Sequence, residues 1–183
     1  KVSYLYKTGM GGFIQNPESE ELGFAISDKN VFPERPPWCH ILANRNFGTV
    51  VSDSSLGFTF AQNASQNKLT PWDNDVVTDN TGEKLTMRID RENYNVIEGS
   101  TAKFFKGRAE YETLIGNVKV KTTVFVPLTL RAKIICMEIE NSSQEEASVR
   151  YDPHMVLGSR EIYGSVNKET ENDVLYFNNP INS

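Results

Sequence analysis

Apolar side chains recur at every second position through the latter half of this chain, a period that fits strands and not helices. In residues 82–90, Leu85, Met87 and Ile89 alternate with Lys84, Thr86, Arg88 and Asp90. Successive side chains of a strand point to opposite faces, so this segment buries one face and wets the other. Val118, Val120, Thr122, Val124 and Val126 alternate in the same way with Lys119, Lys121, Thr123 and Phe125. Pro127 ends that strand, because proline has no amide proton to give to a ladder. Residues 133–141 carry Ile135, Met137 and Ile139 on one face and Ile134 and Cys136 on the other. That pattern predicts a central strand covered on both sides for part of its length. Further strands are predicted at 47–52, 58–61, 109–115, 147–151 and 174–177. Gly116-Asn117 reads as a hairpin turn, and 141–146 as a polar loop at a similar joint. No window of eleven or more residues carries a 3.6-residue period. Many short strands with turn signals between them indicate an all-β fold, a two-layer antiparallel sandwich.

The first forty residues are less regular. Gly9, Gly11 and Gly12 surround Met10, but a phosphate loop needs a following helix and a Gly-Lys-Ser/Thr ending, and neither is present. Pro33, Pro36 and Pro37 predict an extended segment crossing a sheet edge. Trp38, between these prolines and Ile41-Leu42, reads as a buried anchor. With no repeat or linker, residues 1–183 are read as a single domain, long enough for a sizeable core. A formal charge of −5 and scattered lysines exclude a nucleic-acid surface, which requires a basic stripe. No apolar run approaches the roughly 20 residues that span a bilayer, so no membrane partner is expected. Cys136 reads as an apolar core residue, and both it and Cys39 as free thiols, which points to a reducing, cytoplasmic setting. Two histidines and two cysteines at these spacings predict no metal site.

The run Lys68-Leu69-Thr70-Pro71-Trp72-Asp73-Asn74-Asp75 sets an aromatic ring among amides, carboxylates and a hydroxyl, in a segment too irregular for a helix. Sugars are held by such groups, a flat apolar face for the ring and planar polar groups for the hydroxyls. A tight turn around a half-buried tryptophan is the alternative reading. Asp73, Asp75 and Asp79 read as turn caps and exposed carboxylates, not as a catalytic pair.

Three blocks carry a family resemblance: Pro37-Trp38 with residues 43–52, Leu56-Gly57-Phe58-Thr59-Phe60, and the run from Lys68 to Asp75. Thr123-Val124-Phe125-Val126-Pro127, Val156-Leu157-Gly158 and Tyr176-Phe177-Asn178-Asn179-Pro180 continue it in order. Together they resemble the N-terminal β-sandwich of the cellobiose and chitobiose phosphorylase family, glycoside hydrolase family 94. The third block is most similar to β-1,2-oligoglucan phosphorylases and to the phosphorylase-like region of cyclic β-1,2-glucan synthases. The resemblance implies a supersandwich of the galactose-mutarotase type, here expected to be an excised N-terminal piece of a larger enzyme. It implies as partners an (α/α) toroid of the same chain bearing the catalytic acid, a homodimer, and a β-linked gluco-oligosaccharide. The implied reaction is inverting phosphorolysis with inorganic phosphate as co-substrate and no cofactor. No catalytic residue is therefore expected in this chain.

Carried over position by position, Arg45, Asn46, Thr70, Trp72, Asn74 and Asp75 are the implied sugar-rim or interdomain contacts. Arg45 reads equally well as a solvated loop side chain. His40 stands where many members have asparagine, which puts any role of that amide in doubt. His154 reads as a structural hydrogen-bonder. Three alternatives stay open: a self-sufficient carbohydrate-binding module, which needs an exposed aromatic platform, a mutarotase-like enzyme, which needs a converging His and Glu, and a domain of a cyclic β-1,2-glucan synthase. The surface that meets the toroid is expected to be unusually apolar.

Overall fold

A strand with one apolar face needs a second layer to cover it, and this chain supplies that layer from two small sheets. The computed structural model describes residues 2–27, 36–72, 82–158 and 166–180. Among the described residues the chain forms strands and no helix. In order they are β1 (Tyr6–Thr8), β2 (Gly11–Gln15), β3 (Leu22–Ile26), β4 (Cys39–Ala43), β5 (Phe47–Ser52), β6 (Phe58–Ala61), β7 (Glu83–Ile89) and β8 (Glu92–Asn95). There follow β9 (Thr101–Phe105), β10 (Arg108–Ile115), β11 (Val118–Phe125), β12 (Ile134–Asn141), β13 (Ala147–Pro153), β14 (Asn167–Glu171) and β15 (Val174–Asn178).

One large sheet runs β1-β2-β3-β9-β10-β11-β12, every neighbour antiparallel. The covering layer is made by β4-β5-β6 and by β13-β7-β8, and β14 with β15 forms a separate hairpin. One continuous core joins the layers. Ala102, Ala109, Tyr111, Val120 and Val124 of the large sheet meet Leu42 and Val51 of one small sheet and Leu85 and Met87 of the other. The Tyr111 hydroxyl crosses the sandwich to donate to the Ser52 carbonyl at 2.9 Å.

The alternation in residues 82–90 and 118–126 appears in β7 and β11 as alternate buried and open positions. Gly116-Asn117 is the turn between β10 and β11, with Ile115 opposite Val118. Four expectations are corrected. The first forty residues hold the β1–β2–β3 meander, and the glycine-rich run is its first hairpin, Thr8 opposite Gly11. β12 is an edge strand of the large sheet, not a central one. Its two apolar faces misled because Ile135 and Met137 pack on the core, Ile139 on the same face is left open, and Cys136 faces outward. Cys136 is accordingly exposed, and so is Cys39; both are free thiols. The loop after Asn141 joins no hairpin, since β12 pairs with β11 and β13 with β7, so it carries the chain from one layer to the other.

The fourth correction is Trp38, which is 47% exposed and no core anchor. Its ring stacks on Phe24 at 5.3 Å, and its amide donates to Asp53 Oδ1 at 2.8 Å. Phe24 belongs to a lateral row, Tyr6, Phe13, Phe24, Phe104, Ala109 and Val124, all on the inner face of the large sheet. Ala109 and Val124 are fully covered, whereas Phe13 and Tyr6 are exposed. The large sheet therefore extends beyond its cover on the β1 side, and Trp38 caps part of the overhang.

Candidate functional site

The connection from β4 to β5 is a tight turn whose tip is Arg45. Asn44 builds it: its Oδ1 accepts the Asn46 amide at 2.9 Å, the Asx geometry that lets a short polar side chain mimic backbone. Its Nδ2 donates to the carbonyls of Pro127 and Leu130, at 2.8 and 2.7 Å. The turn is thus tied to the segment leaving β11, where Leu128 (89% exposed) and Leu130 stand open to solvent. Arg45 and Asn46 are exposed, and the Asn46 carbonyl accepts the Gln62 amide. This corner presents a guanidinium and an amide beside bare leucines.

Trp72 lies elsewhere. The strand-like stretch from Lys68 to Thr70 runs beside β6, bridged at Phe60 and Lys68. It delivers Trp72 onto Phe58, ring centroids 5.0 Å apart at 22°. Trp72 is half-buried and its carbonyl accepts from Lys68 Nζ at 3.1 Å. Phe58 pairs with Val50, while Asn46 adjoins the far end of β6 through Ala61 and Gln62. Three residues of strand, about 10 Å, separate the two spots. Phe58 is itself buried beneath Trp72, so the two rings make a stack and not a coplanar platform.

Thr70 is drawn inside, 2% exposed, where its oxygen accepts the Thr59 amide and its hydroxyl donates to Glu83 at 2.9 Å. Glu83 is the centre of a closed polar cluster. Its Oε1 accepts from Thr70 and from Thr59 Oγ1 (2.5 Å). Its Oε2 accepts from Lys133 Nζ (2.6 Å) and from the Tyr151 hydroxyl (2.9 Å). Lys133 also donates to the Leu56 carbonyl at 2.8 Å. Burial pushes the Lys133 ammonium below its usual range, against the opposing pull of Glu83. Burial, and then the charge of Glu83, raises the Tyr151 phenol, whose hydroxyl turns inward although the ring is partly exposed.

An acid, a base and a phenol converge here as in a catalytic centre, but the Glu83 side chain is 1% exposed. Four donors fill the four lone-pair positions of the carboxylate, leaving no face for a substrate. The cluster is architecture. The sequence reading missed it, although a signal was present: Glu83 has the same parity as Leu85, Met87 and Ile89, a carboxylate on the buried face of its strand. Asn74 and Asp75, with Asp73 and Asp79, lie outside the described residues. His40 stacks on Phe104 at 5.0 Å and donates Nε2–H to the Phe105 carbonyl at 2.9 Å; burial lowers its pKa. The His154 main-chain amide donates to the Gly82 carbonyl. Among the described residues no three His, Cys, Asp or Glu side chains are grouped to hold a metal, and no helix is long and apolar enough to cross a membrane.

Residues 24–151 match the supersandwich domain of glycosyl hydrolase 94. The chain is also similar to the cyclic β-(1,2)-glucan synthase NdvB of Rhizobium meliloti (strain 1021), 27% identical over 153 residues. That match takes in 78% of this chain and only 5% of the synthase. The matched stretch begins in β3 and ends in β13, spanning both layers and the Glu83 cluster, and it places this chain in the glycosyl hydrolase 94 supersandwich-domain family.

Proposed function

We propose that this chain is the non-catalytic supersandwich scaffold of a larger enzyme that makes or phosphorolyses β-linked glucans. The observation that carries this reading is the state of the acid–base cluster: its groups are saturated by one another and shut from solvent. The family match supplies the setting. In the whole enzyme an (α/α) toroid of the same polypeptide holds the acid and the inorganic phosphate, and the sandwich supports it, in a cytoplasmic homodimer. Inverting phosphorolysis needs only one protein carboxylic acid, since phosphate attacks from the opposite face. The corner of Arg45, Asn46, Leu128 and Leu130 suits a contact between domains, having bare apolar side chains rimmed by polar ones. The similarity to a cyclic β-(1,2)-glucan synthase favours β-1,2-linked glucan as the polymer.

Incubating the chain with inorganic phosphate and either sophorose or cellobiose tests the reading. No glucose 1-phosphate is expected above the protein-free control; turnover that survives repurification would sink it.

A further inference from the structure

On the side of β6 away from β5, a cleft of about 250 Å³ opens between the Lys68 strand and the end of β15. Ala61, Leu69, Leu157 and Phe177 line it with apolar atoms, and Asn67, Lys68 and Asn178 with polar ones. Its frame is firmly held. Lys68 is bridged to Phe60 on one side and to Gly158 on the other, and the Val156 amide donates to the Leu69 carbonyl at 2.8 Å. Leu157 has a left-handed backbone, φ 49°, a conformation that a branched side chain rarely adopts. Asn179, 5% exposed, holds it there by donating Nδ2 to the Val156 and Leu157 carbonyls, 3.2 Å each. Gln62, directly after Ala61, is also left-handed at φ 60°. Backbone strain of this kind, held by a buried amide beside an open cleft, is characteristic of ligand-binding surfaces.

We infer that this cleft binds a single glucosyl unit of a neutral oligosaccharide. The side chains match the two chemistries of a pyranose. Aliphatic carbons and the Phe177 ring suit its C–H face, and the amides of Asn67 and Asn178 both donate and accept, as paired sugar hydroxyls require. Among the described residues no carboxylate lines the cleft. The Lys68 ammonium donates to the Trp72 carbonyl and has further N–H groups for a ligand oxygen. The volume falls below the roughly 300–1,000 Å³ of sites that enclose larger ligands, which limits the occupant to one ring with its neighbours outside. The assignment rests on the glucan reading above and adds a place on the scaffold, apart from Trp72, where such a chain is held.

The test is an amide-resolved NMR titration of the 183-residue chain with sophorose, cellobiose and, separately, inorganic phosphate. Sophorose at millimolar concentration is expected to shift the side-chain amides of Asn67 and Asn178. Phe177→Ala and Asn178→Ala are expected to weaken that response by about tenfold, as for loss of one ring contact or hydrogen bond. Their spectra elsewhere should match the parent, which reports an intact fold, and Trp72→Ala should leave the response in place. Silence of the cleft toward both sugars, a response to phosphate alone, or shifts confined to Trp72 would overturn the inference. The phosphorolysis assay reports on the scaffold reading independently, so the two can fail separately.

Discussion

Glu83 concentrates more of this protein's stability than its single charge suggests. Removing one partner of a buried ion pair leaves the other desolvated and uncompensated, which typically costs about 3–5 kcal/mol. Glu83→Ala strands the Lys133 ammonium and three hydroxyls, and a loss of that size is expected in urea unfolding at unchanged slope. Glu83→Leu combined with Lys133→Met should recover only the part due to the stranded ammonium, because the Thr59, Thr70 and Tyr151 hydroxyls still lack their acceptor. The phenols and the ammonium also make stability depend on pH. Burial raises Tyr111 well above its ordinary 10.0, so above that pH the unfolded chain has lost a proton the folded chain keeps. The unfolded state then binds fewer protons, and stability falls as pH rises. Tyr151 acts in the same sense. Lys133 acts oppositely: just below its ordinary 10.5 the folded form has released a proton that the unfolded form retains, so stability rises with pH there. Burial also raises the Cys39 thiol from its ordinary 9.0, and the hydrogen bond to Glu92 raises the Tyr94 phenol. The falling contributions outnumber the rising one, and melts from about pH 8 to about pH 12 should show a net decline beginning near pH 9. Tyr111→Phe should make that decline shallower.

At the scale of elements, two turn glycines separate backbone strain from collision. Gly116, at φ 58°, has open space where a Cβ would sit, so Gly116→Ala should cost only the ~1–2 kcal/mol of a left-handed residue. Gly57, at φ 64°, would place a Cβ 1.8 Å from the Val50 carbonyl oxygen. Gly57→Ala must therefore also displace β5, and its measured loss in denaturant unfolding should clearly exceed that of Gly116→Ala. Strands such as β7 and β11 were legible because one face is buried along the whole length, which forces alternation into the sequence. β8 and β14 were not, since every side chain in them is open to solvent and no burial imposes a pattern. β12 was misplaced because apolar residues on both faces arise either in a covered strand or in an edge strand left partly bare. The candidate site was legible only as chemistry. Thr70 and Trp72 are neighbours in sequence, yet one hydroxyl is drawn inside by Glu83 while the indole rests on Phe58. That choice depends on which strand runs alongside, and Glu83 and Tyr151 of one sheet meet Lys133 only after a second sheet docks on it.

For the whole molecule, the arrangement of layers sets what this domain can contribute. Its inner face is occupied by core and by the Glu83 cluster, so recognition is left to corners and overhangs. Those are the Arg45 turn beside Leu128, the uncovered margin at Tyr6 and Phe13, and the cleft at Phe177. The Glu83 cluster has a thermal consequence as well. Its donors come from β6, from the Thr70 stretch, from β13 and from the approach to β12, so one carboxylate fastens three separate sheets. None of them can melt without leaving a buried polar group of the cluster short of a partner in the others. Differential scanning calorimetry should accordingly record one sharp endotherm, its integrated heat equal to the heat inferred from its steepness. In Glu83→Ala the peak should broaden or split, as the layers become free to come apart in turn.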